Sequence, residues 1–226
     1  MKKATIEHPS SKTGLRKKYE SFFAPFGRLL VKTGITPNMI SLMSVGASLI
    51  SCIAYSMGGS RGLLFGTFFL GVSSLLDMLD GSLARAKGIA GYFGALLDRT
   101  LDRVSEFFFL LGIMAGGYVY PELVFFCFQG MILASYVRST AENRGGLKMD
   151  STKGLFERKE KLTLLSMGCL IEILLIEEVI STSIWSFDFG ILSVIIFIIG
   201  LFSNISAFQR LEFARKYHST TKTTSD

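Results

Sequence analysis

The chain has 226 residues, 49% of them hydrophobic and 19% charged, with 20 Phe, a net charge of +6 and a mean hydropathy of +0.44. A soluble domain of this size needs more polar surface than this composition supplies, so the chain is expected to live in a membrane. The positive charge comes with no RNA- or DNA-binding motif and gathers at the ends of apolar segments. That placement points to anionic headgroups and phosphorylated substrates and away from nucleic acid.

Residues 1–37 return repeatedly to Lys and Arg and contain no apolar run of signal-peptide length, so the N-terminus is expected to be retained. Within them, Leu15, Phe22, Phe23, Phe26, Leu29 and Leu30 interleave with Arg16, Lys17, Lys18 and Arg28. This pattern predicts an amphipathic helix lying in the membrane interface, kinked at Pro25. Thr36-Pro37-Asn38 then supplies a helix start.

A membrane span needs about 20 apolar residues. Six windows qualify, at 39–58, 62–87, 92–116, 119–142, 160–180 and 186–214, with Gly58-Gly59-Ser60, Gly116-Gly117, Pro121 and Gly145-Gly146 as punctuation. The expected fold is therefore all-α and integral to the membrane: a juxtamembrane segment over 1–37, one six-helix domain over 38–215, and an unordered tail over 216–226. Cys52, Cys127 and Cys169 fall in three different apolar windows without a CxxC partner and read as small core residues.

Charge orients the spans. Residues 1–37 carry eight Lys/Arg, and the segment 138–161 adds Arg138, Arg144, Lys148, Lys153, Arg158, Lys159 and Lys161. The connections near 117–121 and 176–188 instead have Glu122, Glu177, Glu178 and Asp188 nearby, with Arg61 as the one exception in the remaining turn. By the positive-inside rule both termini, the 88–91 turn and the 143–159 loop are expected in the cytoplasm, at the cell membrane.

Against this apolar background stand four aspartates. Asp77, Asp80, Gly81, Ala84 and Arg85 share one helical stripe, and Gly94, Asp98 and Asp102 share another. The turn between the two helices centres near Ile89, which sets Asp80 and Asp98 each ~13 Å from it along their helices. An antiparallel hairpin is expected to bring all four carboxylates together in the cytoplasmic half of the membrane, with Gly81 and Gly94 allowing close approach. Such a density of carboxylate oxygen suits one or two Mg²⁺ or Mn²⁺ ions, leaving positions open for phosphate oxygens. Pairing with Arg85, Arg99 and Arg103 is the alternative, but intramembrane carboxylates are costly and usually functional.

These residues spell Asp77-x-x-Asp80-Gly81-x-x-Ala84-Arg85, eight residues, then Gly94-x-x-x-Asp98-x-x-x-Asp102. The pattern resembles the signature of the CDP-alcohol phosphotransferases at every defined position. The resemblance implies a homodimeric membrane enzyme that moves a phosphatidyl-type group from a CDP-linked lipid to an alcohol and releases CMP, using two Mg²⁺ or Mn²⁺ ions. It implies Asp77, Asp80, Asp98 and Asp102 as metal ligands and Asp102 as general base. It also implies contacts from Asp77, Gly81, Ala84 and Arg85 to the CDP group, with Asn38 as a further nucleotide contact or, alternatively, a helix cap.

The acceptor is set outside that motif. "SYVRSTAE" at 135–142 and "GLFERKEKL" at 154–162 resemble the branch that makes phosphatidylinositol phosphate or archaetidylinositol phosphate. The resemblance implies inositol 1-phosphate as acceptor, its phosphate gripped by Arg138, Arg158 and Arg210. Two departures, Thr140 and Lys161 where the branch commonly carries Arg, keep glycerol 3-phosphate or serine open. A divalent-cation transporter is the rival of another class, although Leu63–Val72 and Phe107–Met114 are almost entirely apolar and offer ions no route onward.

Overall fold

The computed structural model describes residues 25–27, 29–31, 33–89, 91–145, 158–176 and 190–223, and all regular structure among them is helical. Six long helices follow one another: α1 (Pro37–Ser56), α2 (Gly59–Ala86), α3 (Tyr92–Ala115), α4 (Pro121–Gly145), α5 (Arg158–Ile176) and α6 (Ile191–Thr223). Continuous apolar runs of this length satisfy their backbone polar groups internally only as helices, which is what a lipid environment demands.

Four of these helices are long and apolar enough to cross a bilayer: α1, α2, α4 as far as Glu142, and α6 as far as Tyr217. The protein is thus a multi-pass membrane protein. Helices α3 and α5 occupy two more of the expected windows but carry several charges each, α3 with Asp98, Arg99, Asp102, Arg103 and Glu106, and α5 with Arg158, Lys159, Glu160 and Lys161. Residues 25–27 and 29–31 are helical, while 15–24 and 28 of the expected amphipathic helix lie outside the described residues, as do residues 146–157 and 177–189. Helix α6 runs on to Thr223, through most of the stretch expected to be an unordered tail; Lys216 and Glu212, one turn apart at 2.8 Å, extend it beyond the apolar window.

Local chemistry fixes the helix ends. The Thr36 hydroxyl accepts from the Met39 N–H at 3.3 Å, and Pro37 stands in the first turn of α1, where its missing N–H costs nothing. Only two residues separate α1 from α2. Gly58 (φ +73°) and Gly59 (φ +67°) make that reversal in the left-handed region, which residues with a Cβ avoid.

Packing centres on α1, which lies extensively against both α2 and α3, whereas α2 and α3 scarcely touch each other. This differs from the hairpin expected from sequence. The reason is side-chain size: α1 presents buried Ser41, Ser44, Ser48 and Ser51 along one stripe, and small residues let helix backbones come close. Ser44 donates to the Ser73 carbonyl at 2.9 Å and Ser51 to that of Gly66 at 2.7 Å, tying α1 to α2. Toward α3, Gly112 rests directly on the backbone of Cys52. A second closely packed pair, α4 with α6, is seated at Gly130 and Gly200, and α5 leans on α2 and α6.

At the ends of α2 and α3 away from the aspartates, Tyr55, Leu63, Leu70, Phe109 and Ile113 fill the interior. Cys52, Cys127 and Cys169 are buried free thiols, as expected.

The α1–α3 contact can be tested directly. A Cβ at Gly112 would lie 2.6 Å from the Cys52 carbonyl oxygen and 2.7 Å from its Cα, whereas one at Gly71 meets nothing within 4 Å. Gly112→Ala is expected to cost about 1–3 kcal/mol, and Gly71→Ala to be neutral or stabilising because Ala is the better helix former. Thermal unfolding in detergent, followed with a thiol-reactive dye that reports exposure of the buried cysteines, separates the two variants.

Candidate active site

Helix α2 delivers Asp77, Asp80, Gly81, Ala84 and Arg85 along one stripe, and α3 delivers Gly94, Asp98 and Asp102. The two helices scarcely touch, yet their carboxylates meet between them. Asp77, Asp98 and Asp102 each place an oxygen within 4.8 Å of the others, and all three are half-buried. Asp80 does not join this trio. It is 5% exposed and turned toward α1, where the Ser41 hydroxyl donates a short hydrogen bond to its Oδ2 while also reaching the Pro37 carbonyl at 3.2 Å.

Three carboxylates so close together need positive charge. At an effective dielectric constant near 20, two unit charges 4–5 Å apart repel by about 4 kcal/mol. Arg158, the first residue of α5, supplies compensation: its Nη1 lies 2.7 Å from Asp77 Oδ2 and 2.7 Å from Asp102 Oδ1. Arg158 is not among the partners expected from sequence; of those, Arg99 pairs with Glu142 at 3.5 Å and Arg103 with Glu106.

Glu106 and Ser41 were not singled out from the sequence. Glu106 continues the Asp98, Asp102 stripe by one more turn and is only 2% exposed. It receives Arg103 on one oxygen and faces Arg158 Nε at 3.6 Å with the other. An ionisable side chain four residues beyond Asp102 in an apolar window was the available signal. For Ser41 the signal was the repeat of serines at helical spacing along α1.

The donor set suits a hard divalent cation. It consists of carboxylate oxygens from two helices, close enough for one ion to bridge, without the thiolates or imidazoles that favour softer metals. The glycines fit a ligand as well. A Cβ at Gly94 would meet nothing within 4 Å and one at Gly81 only the end of the Arg85 side chain at 3.4 Å, so helix packing does not explain either residue.

The remaining residues singled out by sequence are spread around this centre. Thr36, not Asn38, caps α1; Asn38 is exposed in the first turn, and Arg85 is exposed near the end of α2. Among the described residues the three arginines have different neighbours: Arg158 is held by the aspartates, Arg138 Nε reaches Glu142 at 2.9 Å, and Arg210 Nη1 donates to the Ala134 carbonyl at 2.7 Å. That carbonyl is one turn before Arg138 on α4, so Arg138 and Arg210 serve the same end of the α4–α6 pair. Lys161 is 8% exposed and lies in the electrostatic field of Glu106, Arg103 and Arg210.

Known proteins share both the sequence and this architecture. Residues 34–205 match the family model described as CDP-alcohol phosphatidyltransferase. The chain is 31% identical to the archaetidylinositol phosphate synthase of Pyrococcus horikoshii over 156 residues, covering 69% of this chain and 80% of that one. Its fold superposes on the crystal structure of Mycobacterium tuberculosis phosphatidylinositol phosphate synthase with CDP-DAG bound, with a TM-score of 0.68, 27% identity, and coverage of 86% of this chain and 94% of that one. The same enzyme in complex with manganese and citrate gives a TM-score of 0.69 at 27% identity, covering 85% and 88%. The aspartate pattern, the convergence of three of its carboxylates and a family match spanning most of the chain agree: the protein belongs to the CDP-alcohol phosphatidyltransferase family.

Proposed function

We infer that the protein transfers a phosphatidyl-type group from a CDP-linked lipid to the hydroxyl of inositol 1-phosphate, releasing CMP, as a homodimeric enzyme whose termini and active site face the cytoplasm. The observation that carries the chemistry is the convergence of Asp77, Asp98 and Asp102 across the α2–α3 cleft. The Lys/Arg distribution of the loops supports the orientation, and the family resemblance supports the dimer. Six crossings fit the six helices once the charges of α3 and α5 face one another inside the bundle and not lipid.

Asp77, Asp98 and Asp102 would hold Mg²⁺ or Mn²⁺, and Asp80, fixed by Ser41, would be the further ligand for a second ion. Bound there, the metal supplies Lewis-acid neutralisation of the pyrophosphate and of the charge that builds at the phosphorus under attack. Gly81 and Ala84 leave room for the nucleotide, and Arg85 and Asn38 reach it from the exposed ends of their helices. Asp102 takes the proton of the attacking hydroxyl as the new oxygen–phosphorus bond forms and the bond to CMP breaks, the bonding pair leaving with CMP.

Arg138, Arg158 and Arg210 supply the guanidinium forks that a phosphate-bearing acceptor needs. The relatives named for archaetidylinositol phosphate and phosphatidylinositol phosphate synthesis support this acceptor. The apolar packing of Leu63, Leu70, Phe109 and Ile113 beyond the site counts against an ion-conducting path.

Purified protein with Mg²⁺ or Mn²⁺ is expected to release CMP from a CDP-linked diacylglycerol or archaeol lipid only when inositol 1-phosphate is added, and not with glycerol 3-phosphate, serine or no acceptor. Release with one of the others would retain the reaction and discard the arginine pocket. Asp102→Asn is expected to lower turnover by at least about 100-fold, the usual contribution of a general base, while still binding the CDP-lipid; normal turnover in folded Asp102→Asn protein would remove Asp102 from that role.

A further inference from the structure

The Arg158 guanidinium has two sets of partners. Its Nη1 lies 2.7 Å from one oxygen of Asp77 and 2.7 Å from one of Asp102, while its Nε lies 3.6 Å from Glu106 Oε1. A cation held by Asp77 and Asp102 would compete with the guanidinium for these two carboxylates. How strongly Arg158 competes depends on what holds its other edge.

Glu106 is placed to do this. It stands one helical turn from Asp102 on the same face of α3 and is 2% exposed, between Arg103 and Arg158, where an unpaired charge would be costly. Its second oxygen is bound by Arg103, which pins the carboxylate beside Arg158 without drawing it into the aspartate trio. Lys161, on the same helix as Arg158, lines a water-sized cavity with Glu106 and completes the positive surroundings. Metal ligands commonly depend on such outer partners for their orientation and effective charge.

We propose that Glu106 is a positioning residue: by setting a negative charge 3.6 Å from the Nε edge of Arg158, without a hydrogen bond to it, it limits how far this guanidinium neutralises Asp77 and Asp102, and so keeps those carboxylates available to the divalent cation. The proposal rests on the reading above that the aspartates bind the cation. Without the Glu106 charge, nothing offsets the pull of Asp77 and Asp102 on Arg158, and the ion must displace a guanidinium held more tightly in the pairs it already makes at 2.7 Å.

The test is Mn²⁺ binding to the detergent-purified full chain without substrate, measured by electron paramagnetic resonance of free Mn²⁺. Four proteins form the cycle: wild type, Glu106→Gln, Arg158→Gln and the double variant. Glu106→Gln is expected to weaken Mn²⁺ binding by about tenfold, the lower end of outer-partner effects. In the Arg158→Gln background the same change is expected to cost about twofold or less, the difference being the coupling between the two residues. Equal weakening in both backgrounds, or none in the native one, would overturn the proposal.

Glu106→Asp guards against misfolding, since it preserves the charge facing Arg103 and shortens only the reach. It is expected to weaken Mn²⁺ binding by less than Glu106→Gln and again only when Arg158 is present; an Arg158-independent effect overturns the proposal equally. Asp98→Asn separates the two readings. Mn²⁺ affinity unchanged in Asp98→Asn overturns the cation site and the proposal with it, whereas loss of Mn²⁺ there alongside an inert Glu106→Gln overturns the role of Glu106 alone.

Discussion

Repulsion among carboxylates in a low-dielectric setting is the constraint around which this protein is organised. Asp77, Asp98 and Asp102 cannot lie within 4.8 Å of one another as a bare cluster. The chain surrounds them with matched groups: Arg158 bridges two of them, Glu106 and Arg103 back it, and Ser41 draws Asp80 aside. Several of the charges that interrupt the apolar character of α3, and Arg158 at the start of α5, belong to this one assembly, in which carboxylates outnumber guanidiniums.

The constraint also explains the packing of the helices. Direct ridge-to-groove packing of α2 on α3 would crowd together the aspartates that the two helices carry. Inserting α1 between them holds them apart, and the small residues of α1 make that insertion tight. The serines that serve packing at Ser44 and Ser51 become, one turn nearer the site, the hydrogen-bond donor to Asp80, so scaffold and site share one stripe.

Much of this was legible in the sequence, for identifiable physical reasons. Apolar runs placed the helices to within a few residues, except at the far end of α6, where Lys216 and Glu212 prolong the helix beyond what hydrophobicity alone indicates. Helical spacing put Asp98 and Asp102 on one face of α3, and distance from the turn put Asp77 level with them. Which of the four aspartates meet was not legible, because it depends on which helix stands between α2 and α3. The bond from Ser41 to Asp80 spans 39 positions and that from Arg158 to Asp77 spans 81, and no local pattern records a contact at such range. Arg158 itself was recognised, but as an acceptor ligand; its contacts with the aspartates emerge only when α5 is seen leaning on α2.

The place of α1 in the chain has a consequence for biosynthesis. Segments enter the membrane in the order in which they are made, and this helix, which carries no Asp, Glu, Lys or Arg between Pro37 and Ser56, precedes both aspartate-bearing helices. When α2 arrives, the hydroxyl that receives Asp80 and the serines that receive the α2 backbone are already at hand. Arg158 is made 56 residues after Asp102, so the aspartates must wait for their protein counter-charge through the synthesis of α4 and the loop beyond it. The nascent chain therefore meets its electrostatic problem late and its packing problem early.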